Sequence, residues 1–345
     1  MFKQRYRKPD GRSLVLYSME PKEYPWLGEG EKAPSAAPQL RWHPLRQEWV
    51  VYAPHRQERT FLPPPEYCPL CPTRPGTLPT EIPCEDFEVA VFENRFPSLH
   101  PRAPVPEKSC VPTLPAKGIC EVVVYTSKHQ GSLASLSPKH RELLVRVWID
   151  RYLELYAYDF VRFVMPFENR GEEVGVTLHH PHGQIYAYSF LPPLIELEAR
   201  AFRGKAVLDD LLQHIEPYLI TTTPGFVAFV PPFARYPYEV WVVPEQRVAG
   251  PWEFTNAQVE SFAEILGSVV AGYDRLFNRP FPYVMVFHAA PKGEESCYHF
   301  HVEFYPPLRA PGKLKFLAGT ELGAGVMVVD ALPETTASLL REVMR

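Results

Sequence analysis

The chain contains an internal repeat: four segments recur in the same order at offsets of 118 to 120 residues. Each copy has the pattern of a valine-rich strand, an amphipathic helix with a Ser or Thr N-cap, a second strand and a strand with a His-x-His pair. The paired segments are 121–125 and 239–243, the helices after Ser137 and Thr255, 163–169 and 283–289, and 180–182 and 299–301. An internal duplication explains this order better than a chance match between common strand-helix-strand patterns.

The duplication predicts two similar half-units, each an antiparallel sheet crossed by a helix, and therefore a fold of the α+β class. Two apolar stretches, 47–54 and 87–94, predict further strands before the first copy. Residues 1–40 are polar and rich in proline, so we expect an irregular N-terminal arm there. The two halves are then expected at 41–200 and 201–345.

The overall charge and hydropathy exclude some classes of function. A formal net charge of −4 and a pI near 6.3 give no basic field for binding nucleic acid. The N-terminus lacks the apolar stretch of a secretory signal, and no segment is long and apolar enough to span a membrane. We therefore expect a cytoplasmic protein with neither nucleic acid nor membrane as a partner.

The 40 prolines, concentrated in connecting segments, favour thermal stability.

A Cys-x2-Cys pair, Cys68 and Cys71, has the spacing of half a tetrahedral zinc site. In a reducing compartment such a pair indicates a metal site rather than a disulfide. The same half of the chain offers His129 and either His180 or His182 as further ligands. The alternative is a loop with two unligated thiols.

Two His-x-His pairs are the other candidates for chemistry. Side chains at positions i and i+2 of a strand project from the same face, so His180 lies beside His182, and His299 beside His301. A neutral imidazole can bind a metal or act as a nucleophile or base, and the spacing alone does not distinguish these roles. In the second half, His288 can join His299 and His301, which favours a second metal site completed by a carboxylate.

The stretch at 167–192, "FENRGEEVGVTLHHPHGQIYAYSFLP", closely resembles the active-site segment of the galactose-1-phosphate uridylyltransferase family, a duplicated branch of the histidine-triad superfamily. Further similar stretches are "HPLRQEWVVYAPHRQER", "YCPLC", "VVYTSKHQGSLASLS", "YHFHVEFYPPLR" and "KLKFLAGTE". The resemblance extends from about residue 40 to about residue 330 in the order of the family.

This resemblance implies that His182 is the nucleophile, which attacks the α-phosphorus of UDP-glucose and carries the uridylyl group to galactose 1-phosphate in a ping-pong reaction. Gln184 is expected to donate to a phosphoryl oxygen as negative charge builds up. A sugar phosphate leaves as a stable anion, so a general acid is not required at that position. His179 is expected to take no part.

The resemblance also implies two metal sites and a set of substrate contacts. The zinc ligands are expected to be Cys68, Cys71, His129 and His180, and the ligands of a second metal, zinc or iron, are expected to be Glu198, His288, His299 and His301. Arg56 and Arg59 resemble arginines that bind phosphate across the interface of a homodimer. The remaining expected contacts are Asn94 with the nucleoside, Asn169 and Thr177 with the phosphates or sugar, and Lys315, Phe316 and Glu321 with the sugar.

The chain departs from the family pattern at positions that bear on specificity. Arg95 stands where relatives often have Asp, Thr320 stands where they often have Tyr, and Val176-Thr177 replaces Cys-Ser. An alternative function is therefore that of a related adenylyl phosphorylase or dinucleoside polyphosphate hydrolase. A zinc-ribbon nucleic-acid module is a third hypothesis, but the chain lacks a second Cys-x2-Cys and a basic stripe.

Overall fold

The computed structural model describes residues 1–25, 33–59 and 61–344. The chain divides into two compact units. The first contains Met1–Gln130, Arg146–Pro166 and His180–Glu198, and the second contains Gly131–Val145, Phe167–His179 and Ala199–Arg345. Both units combine antiparallel strand pairs with helices, which confirms the α+β class.

Most of the secondary structure is β-strand. The strands are β1 (Phe2–Arg7), β2 (Ser13–Ser18), β3 (Gln39–His43), β4 (Glu48–Tyr52), β5 (Val89–Glu93), β6 (Thr113–Pro115), β7 (Gly118–Val124), β8 (Phe163–Arg170), β9 (His182–Tyr188), β10 (Leu219–Thr223), β11 (Phe226–Phe229), β12 (Val240–Pro244), β13 (Tyr283–His288), β14 (His301–Tyr305), β15 (Leu308–Ala310) and β16 (Lys313–Leu314). The helices are α1 (Pro138–Tyr156), α2 (Pro193–Phe202), α3 (Val207–Leu212), α4 (Asn256–Leu276), α5 (Gly319–Ala324) and α6 (Pro333–Met344).

The strand orders of the two halves correspond. In the first half the order is β2-β5-β7-β9-β8, with β1 beside β2, and in the second half the corresponding order is β10-β11-β12-β14-β13. The strand that begins at the second histidine of each His-x-His pair lies between two strands of its own repeat, with β9 between β7 and β8 and β14 between β12 and β13. A separate three-stranded sheet, β4-β3-β6, completes the first unit.

The two repeat helices begin where the sequence predicts. The N-terminus of α1 is capped by Ser137, whose Oγ accepts from the backbone N–H of His140 at 3.3 Å. At the start of α4, Thr255 and Gln258 form a reciprocal capping box. Both helices bury an apolar stripe, and the buried members in α4 include Val259, Phe262, Ile265, Leu266, Val269 and Tyr273. Each such side chain contributes roughly 1.5–3 kcal/mol by its removal from water.

The N-terminal arm differs from the irregular segment expected for residues 1–40, of which 26–32 lie outside the described residues. β1 and β2 form a hairpin, and β2 pairs with β5. The fully buried Lys8 forms an ion pair with Glu81, which also accepts from Arg12 at 2.9 Å. Because this order comes from pairing with distant residues, local composition could not reveal it.

Within the described residues, every helix is too short or too polar to span a lipid bilayer.

Candidate active site and metal centres

His182 is the first residue of β9 and lies at a partly exposed position. Its Nδ1 donates to the carbonyl oxygen of His180 at 2.7 Å, since a carbonyl oxygen can only accept. The ring therefore carries its proton on Nδ1 and has its lone pair on Nε2. Burial lowers the pKa of His182 below its ordinary value. The side chain is thus a neutral imidazole with a fixed tautomer, which is the form required of a nitrogen nucleophile.

Gln184 lies two residues further on the same face of β9, where even-numbered positions are partly exposed and odd-numbered positions are buried. Its Oε1 accepts from Nδ2 of Asn94 at 3.4 Å. Asn94 follows the end of β5, and its backbone N–H donates to the carbonyl of Cys120 at 2.8 Å. The structure therefore brings His182, Gln184 and Asn94 together in the first unit.

Four predicted ligands meet in the first unit. The ligand atoms of Cys68, Cys71, His129 and His180 all lie within 4.8 Å of one another. Nδ1 of His180 is 3.8 Å from the sulfur of Cys68 and 3.4 Å from that of Cys71, and Nδ1 of His129 is 3.4 Å from the sulfur of Cys71. A tetrahedron with zinc–ligand bonds of roughly 2.0–2.3 Å has edges of about 3.3–3.8 Å, so the spacing fits that metal.

The protonation of this group also suits a cation. Nε2 of His180 donates to the carbonyl of Thr126 at 2.7 Å, which leaves the lone pair on Nδ1 toward the sulfurs. Hydrogen bonding from Cys71, with a further contribution from His180, lowers the pKa of Cys68 to about 3. The hydrogen bond with Cys68 and burial raise the pKa of Cys71. A bound divalent cation would ionise both thiols.

A second buried group in the second unit includes His288, His301 and Glu303, each no more than 3% exposed. Nε2 of His301 is 3.2 Å from one carboxylate oxygen of Glu303, and Nε2 of His288 is 3.9 Å from the other. Burial would raise the pKa of Glu303, but the two imidazoles hold it at about 2. Two imidazoles and an ionised carboxylate are a suitable donor set for zinc or iron.

His299, which we expected among these ligands, is oriented differently. Its Nε2 donates to the carbonyl of Pro244 at 2.9 Å, and its Nδ1 is 3.6 Å from a carboxylate oxygen of Asp209. The structure therefore groups Glu303 with His288 and His301, and His299 is not part of that group. The other expected ligand, Glu198, lies in α2 as the last residue of the first unit.

The hydrogen bonds show which residues of the two halves correspond to each other. In both halves the first histidine donates from Nε2 to a carbonyl, that of Thr126 for His180 and that of Pro244 for His299. The second histidine donates from Nδ1 to the carbonyl of the first, at 2.7 Å for His182 and 2.9 Å for His301. Glu303 is thus the counterpart of Gln184, and the constant repeat offset was the signal that could have identified it.

Arg56 and Arg59 lie in and just after the 3-10 turn Pro54–Glu58 of the first unit. Nη1 of Arg56 donates to the carbonyl of Phe96 at 2.7 Å, whereas Arg59 has an exposed side chain. The guanidinium of Arg56 is therefore engaged with its own chain.

The other expected substrate residues lie in the second unit. Asn169 is in β8 opposite Val284 of β13, and Thr177 is in the loop that follows. Nζ of Lys315 is 3.2 Å from Glu321, and Phe316 between them is 74% exposed. Hydrogen bonds from backbone N–H groups and from the Thr320 hydroxyl hold the pKa of Glu321 at about 2, so an anionic carboxylate is fixed at this segment.

Comparison with known proteins gives a consistent family. The models for the N-terminal and C-terminal domains of galactose-1-phosphate uridyl transferase match residues 30–192 and 212–345. A galactose-1-phosphate uridylyltransferase of Thermotoga maritima is 42% identical over 318 residues, which cover 88% of this chain and 98% of that protein. One of Haemophilus influenzae is 33% identical, with coverage of 89% and 95%. A solved structure described as "Structure of uridylyltransferase" matches with a TM-score of 0.79 at 29% identity and covers 89% of this chain and 98% of that one.

Proposed function

The chain belongs to the galactose-1-phosphate uridylyltransferase family, and we propose that it transfers the uridylyl group of UDP-glucose to galactose 1-phosphate through a covalent intermediate on His182. The observation that carries this proposal is the hydrogen bond from Nδ1 of His182 to the carbonyl of His180, which directs the lone pair to Nε2. The 42% identity to a relative of that name favours this reaction over the adenylyl alternatives.

In the first half-reaction, Nε2 of His182 attacks the α-phosphorus of UDP-glucose. A nitrogen–phosphorus bond forms as the bond from that phosphorus to the bridging oxygen breaks, and glucose 1-phosphate leaves as an anion. The imidazole gains positive charge, which is stabilised because its Nδ1 proton is already shared with the carbonyl of His180. No proton has to move in this step.

In the second half-reaction, a phosphate oxygen of galactose 1-phosphate attacks the same phosphorus, and the bond to Nε2 breaks. The products are UDP-galactose and the starting neutral imidazole. Both half-reactions displace one phosphorus substituent at a single pocket, so one set of contacts serves both.

Steady-state kinetics test this order. Double-reciprocal plots at several fixed concentrations of galactose 1-phosphate should be parallel, and labelled glucose 1-phosphate should exchange into UDP-glucose without galactose 1-phosphate. Intersecting plots together with no such exchange would contradict the two-step transfer.

Gln184 contributes through its amide N–H groups, because its Oε1 is engaged by Asn94. Replacement of Gln184 by alanine should lower kcat about 100-fold, equivalent to about 2.7 kcal/mol, with a smaller effect on KM. Gln213→Ala, at an exposed glutamine at the end of α3, is the matched control and should leave both constants unchanged. An unchanged kcat in the Gln184 variant would exclude this role.

The two buried groups are proposed as metal sites with a role in folding. Zinc would be held by Cys68, Cys71, His129 and His180, and its position beside the carbonyl that orients His182 would fix the nucleophile. In the second site, zinc or iron would be held by His288, His301 and Glu303, with Glu198 as the predicted fourth ligand. Four protein ligands close the coordination shell, so each metal would supply structural stability rather than an open Lewis-acid position.

The second site gives a direct comparison between Glu303 and His299. Glu303→Ala should lower the metal content by about one equivalent per chain, because it removes an anionic ligand from a buried site. His299→Ala should retain the metal, since Nδ1 of that ring approaches Asp209 and the ring is not grouped with His288, His301 and Glu303. Elemental analysis of the two purified variants is the measurement. Metal loss from the His299 variant with retention in the Glu303 variant would reverse the assignment.

The remaining substrate contacts follow from the family. We propose that the protein acts in the cytoplasm as a homodimer in which Arg59 and Arg56 contribute to phosphate binding. Asn94 is proposed to contact the nucleoside, Asn169 and Thr177 the phosphates or sugar, and Lys315, Phe316 and Glu321 the sugar. The fixed anion of Glu321 supports the last assignment, because a carboxylate accepts hydrogen bonds from sugar hydroxyls. The functional halves are proposed to be residues 41–200 and 201–345.

A further inference from the structure

We infer that His55 and Arg56 are positioning residues that set the amide orientation of Gln184 through the turn at 94–98. This inference rests on the proposed function, in which Gln184 donates to the reacting phosphate. His55 thereby has a positioning role that the family resemblance does not imply. Arg56 has a positioning role within its own chain.

Two consecutive side chains hold two consecutive carbonyls of the turn. Nε2 of His55 donates to the carbonyl of Pro97 at 2.9 Å, and Nη1 of Arg56 donates to the carbonyl of Phe96 at 2.7 Å. Since a carbonyl oxygen only accepts, the His55 ring is protonated on Nε2. These two hydrogen bonds hold adjacent carbonyls of the turn, so a rotation of the turn that kept one of them would break the other.

The turn at 94–98 also fixes the side-chain amide of Asn94. The backbone N–H of Phe96 donates to the side-chain oxygen of Asn94 at 2.8 Å, and a backbone N–H can only donate. The oxygen of Asn94 must therefore face Phe96, and its Nδ2 faces the other way. There it lies 3.4 Å from Oε1 of Gln184.

This series of hydrogen bonds determines which atom of the Gln184 side-chain amide is available to a substrate. Because Nδ2 of Asn94 occupies Oε1 of Gln184, the N–H groups of Gln184 remain to donate. A flipped amide would present an acceptor oxygen to an anionic phosphate, which is repulsive. The orientation of one amide thus depends on two side chains of the turn at 54–58.

Arg56 also reaches the strand of the nucleophile directly. Its Nη1 is 3.5 Å from the hydroxyl of Tyr186, which follows Gln184 on the same face of β9 and is 3.4 Å from the hydroxyl of Ser98. The turn and the strand are therefore tied to one guanidinium, and movement of the turn away from β9 would break both contacts.

A matched pair of substitutions isolates the contact of His55. The amide nitrogen of glutamine can reach the position of Nε2, whereas that of asparagine is one methylene too short. His55→Asn should lower kcat about tenfold with little change in KM, and His55→Gln should restore kcat to within about threefold of the unmodified enzyme. His43→Asn is the control, because His43 accepts from the backbone N–H of Arg46 in the hairpin between β3 and β4, and it should leave kcat unchanged.

A double-mutant cycle separates positioning from general destabilisation. In a Gln184→Ala background, His55→Asn should cause no further loss of kcat, because the amide that it orients is absent. His55→Ala should give the same pattern independently, and the unfolding temperature of each variant confirms that the measured enzyme is folded. If His55→Asn lowered kcat by the same factor with and without Gln184, the inference would be overturned. An unaffected kcat in both His55→Asn and His55→Ala would also overturn it. Inactivity of the unmodified protein would instead refute the proposed function.

Discussion

Replacement of His182 by alanine is expected to lower the rate of uridylyl transfer by about four orders of magnitude or more, because it removes the atom that bonds to phosphorus. The loss should appear in both half-reactions, since each passes through the same nitrogen. The metal content should not change, because His182 is not one of the four residues whose ligand atoms are grouped with the cysteine pair. Initial rates of UDP-galactose formation, measured with elemental analysis of the same sample, provide the test.

The matched control is His179, three positions before His182. Its side chain is 54% exposed, and Nε2 lies 3.4 Å from a carboxylate oxygen of Glu172. His179→Ala should retain activity within about twofold, as is usual for exposed positions. Activity that survives the change at His182, or disappears with the change at His179, would show that the wrong imidazole has been assigned.

Replacement of Cys68 by alanine is expected to remove the metal of the first site and to destabilise the protein by about 4 kcal/mol, the contribution of a ligand present at a thousandfold excess over its Kd. Cys68 is one of the four residues whose ligand atoms lie together, so the variant loses a thiolate ligand. Since His180 orients His182 through its carbonyl, we also expect transfer to slow. Metal content and the free energy of unfolding are the measurements.

Cys110 supplies the control for the change at Cys68, because it is exposed and lies outside the buried group. Cys110→Ala should keep both the metal and the stability of the unmodified protein. Full metal content in the Cys68 variant would exclude the first metal site, whereas metal loss in the Cys110 variant would show that the effect is not specific to the site.

The sequence predicted the features whose causes are local. Ser137 and Thr255 marked the starts of the two repeat helices because a capping side chain satisfies backbone donors within one turn. The repeat offsets predicted the paired strands, and the i, i+2 spacing placed Gln184 on the face of His182.

The features that the sequence did not reveal depend on contacts between distant segments. β1 consists mostly of polar residues and is ordered by β2, and the buried charge of Lys8 is compensated by Glu81, which is 73 positions away. His299 was predicted as a ligand of the second metal because it follows the same spacing rule as His301, but its Nδ1 approaches Asp209 at 3.6 Å and it is not grouped with His288, His301 and Glu303. Ring orientation is set by the carbonyl within reach, which a one-dimensional pattern does not contain.

The two halves show how one strand position determines the chemistry beside it. Gln184 places a neutral amide two residues after His182, on the same face of β9. Glu303 places a carboxylate two residues after His301, and the pair forms a buried site that suits a cation. We propose that this difference between an amide and a carboxylate suits the first half to nucleophilic chemistry and the second half to metal binding.

The central claim is that Nε2 of His182 becomes bonded to the α-phosphorus of the nucleotide during turnover. Its most direct test is incubation of the protein with UDP-glucose labelled at the α-phosphorus, an alkaline quench, and mapping of the label by peptide digestion. We predict a label that is stable in alkali, is lost in acid as phosphoramidates are, and lies on the peptide that contains His182. Active protein that carries no label, or carries it on a different residue, would contradict this mechanism.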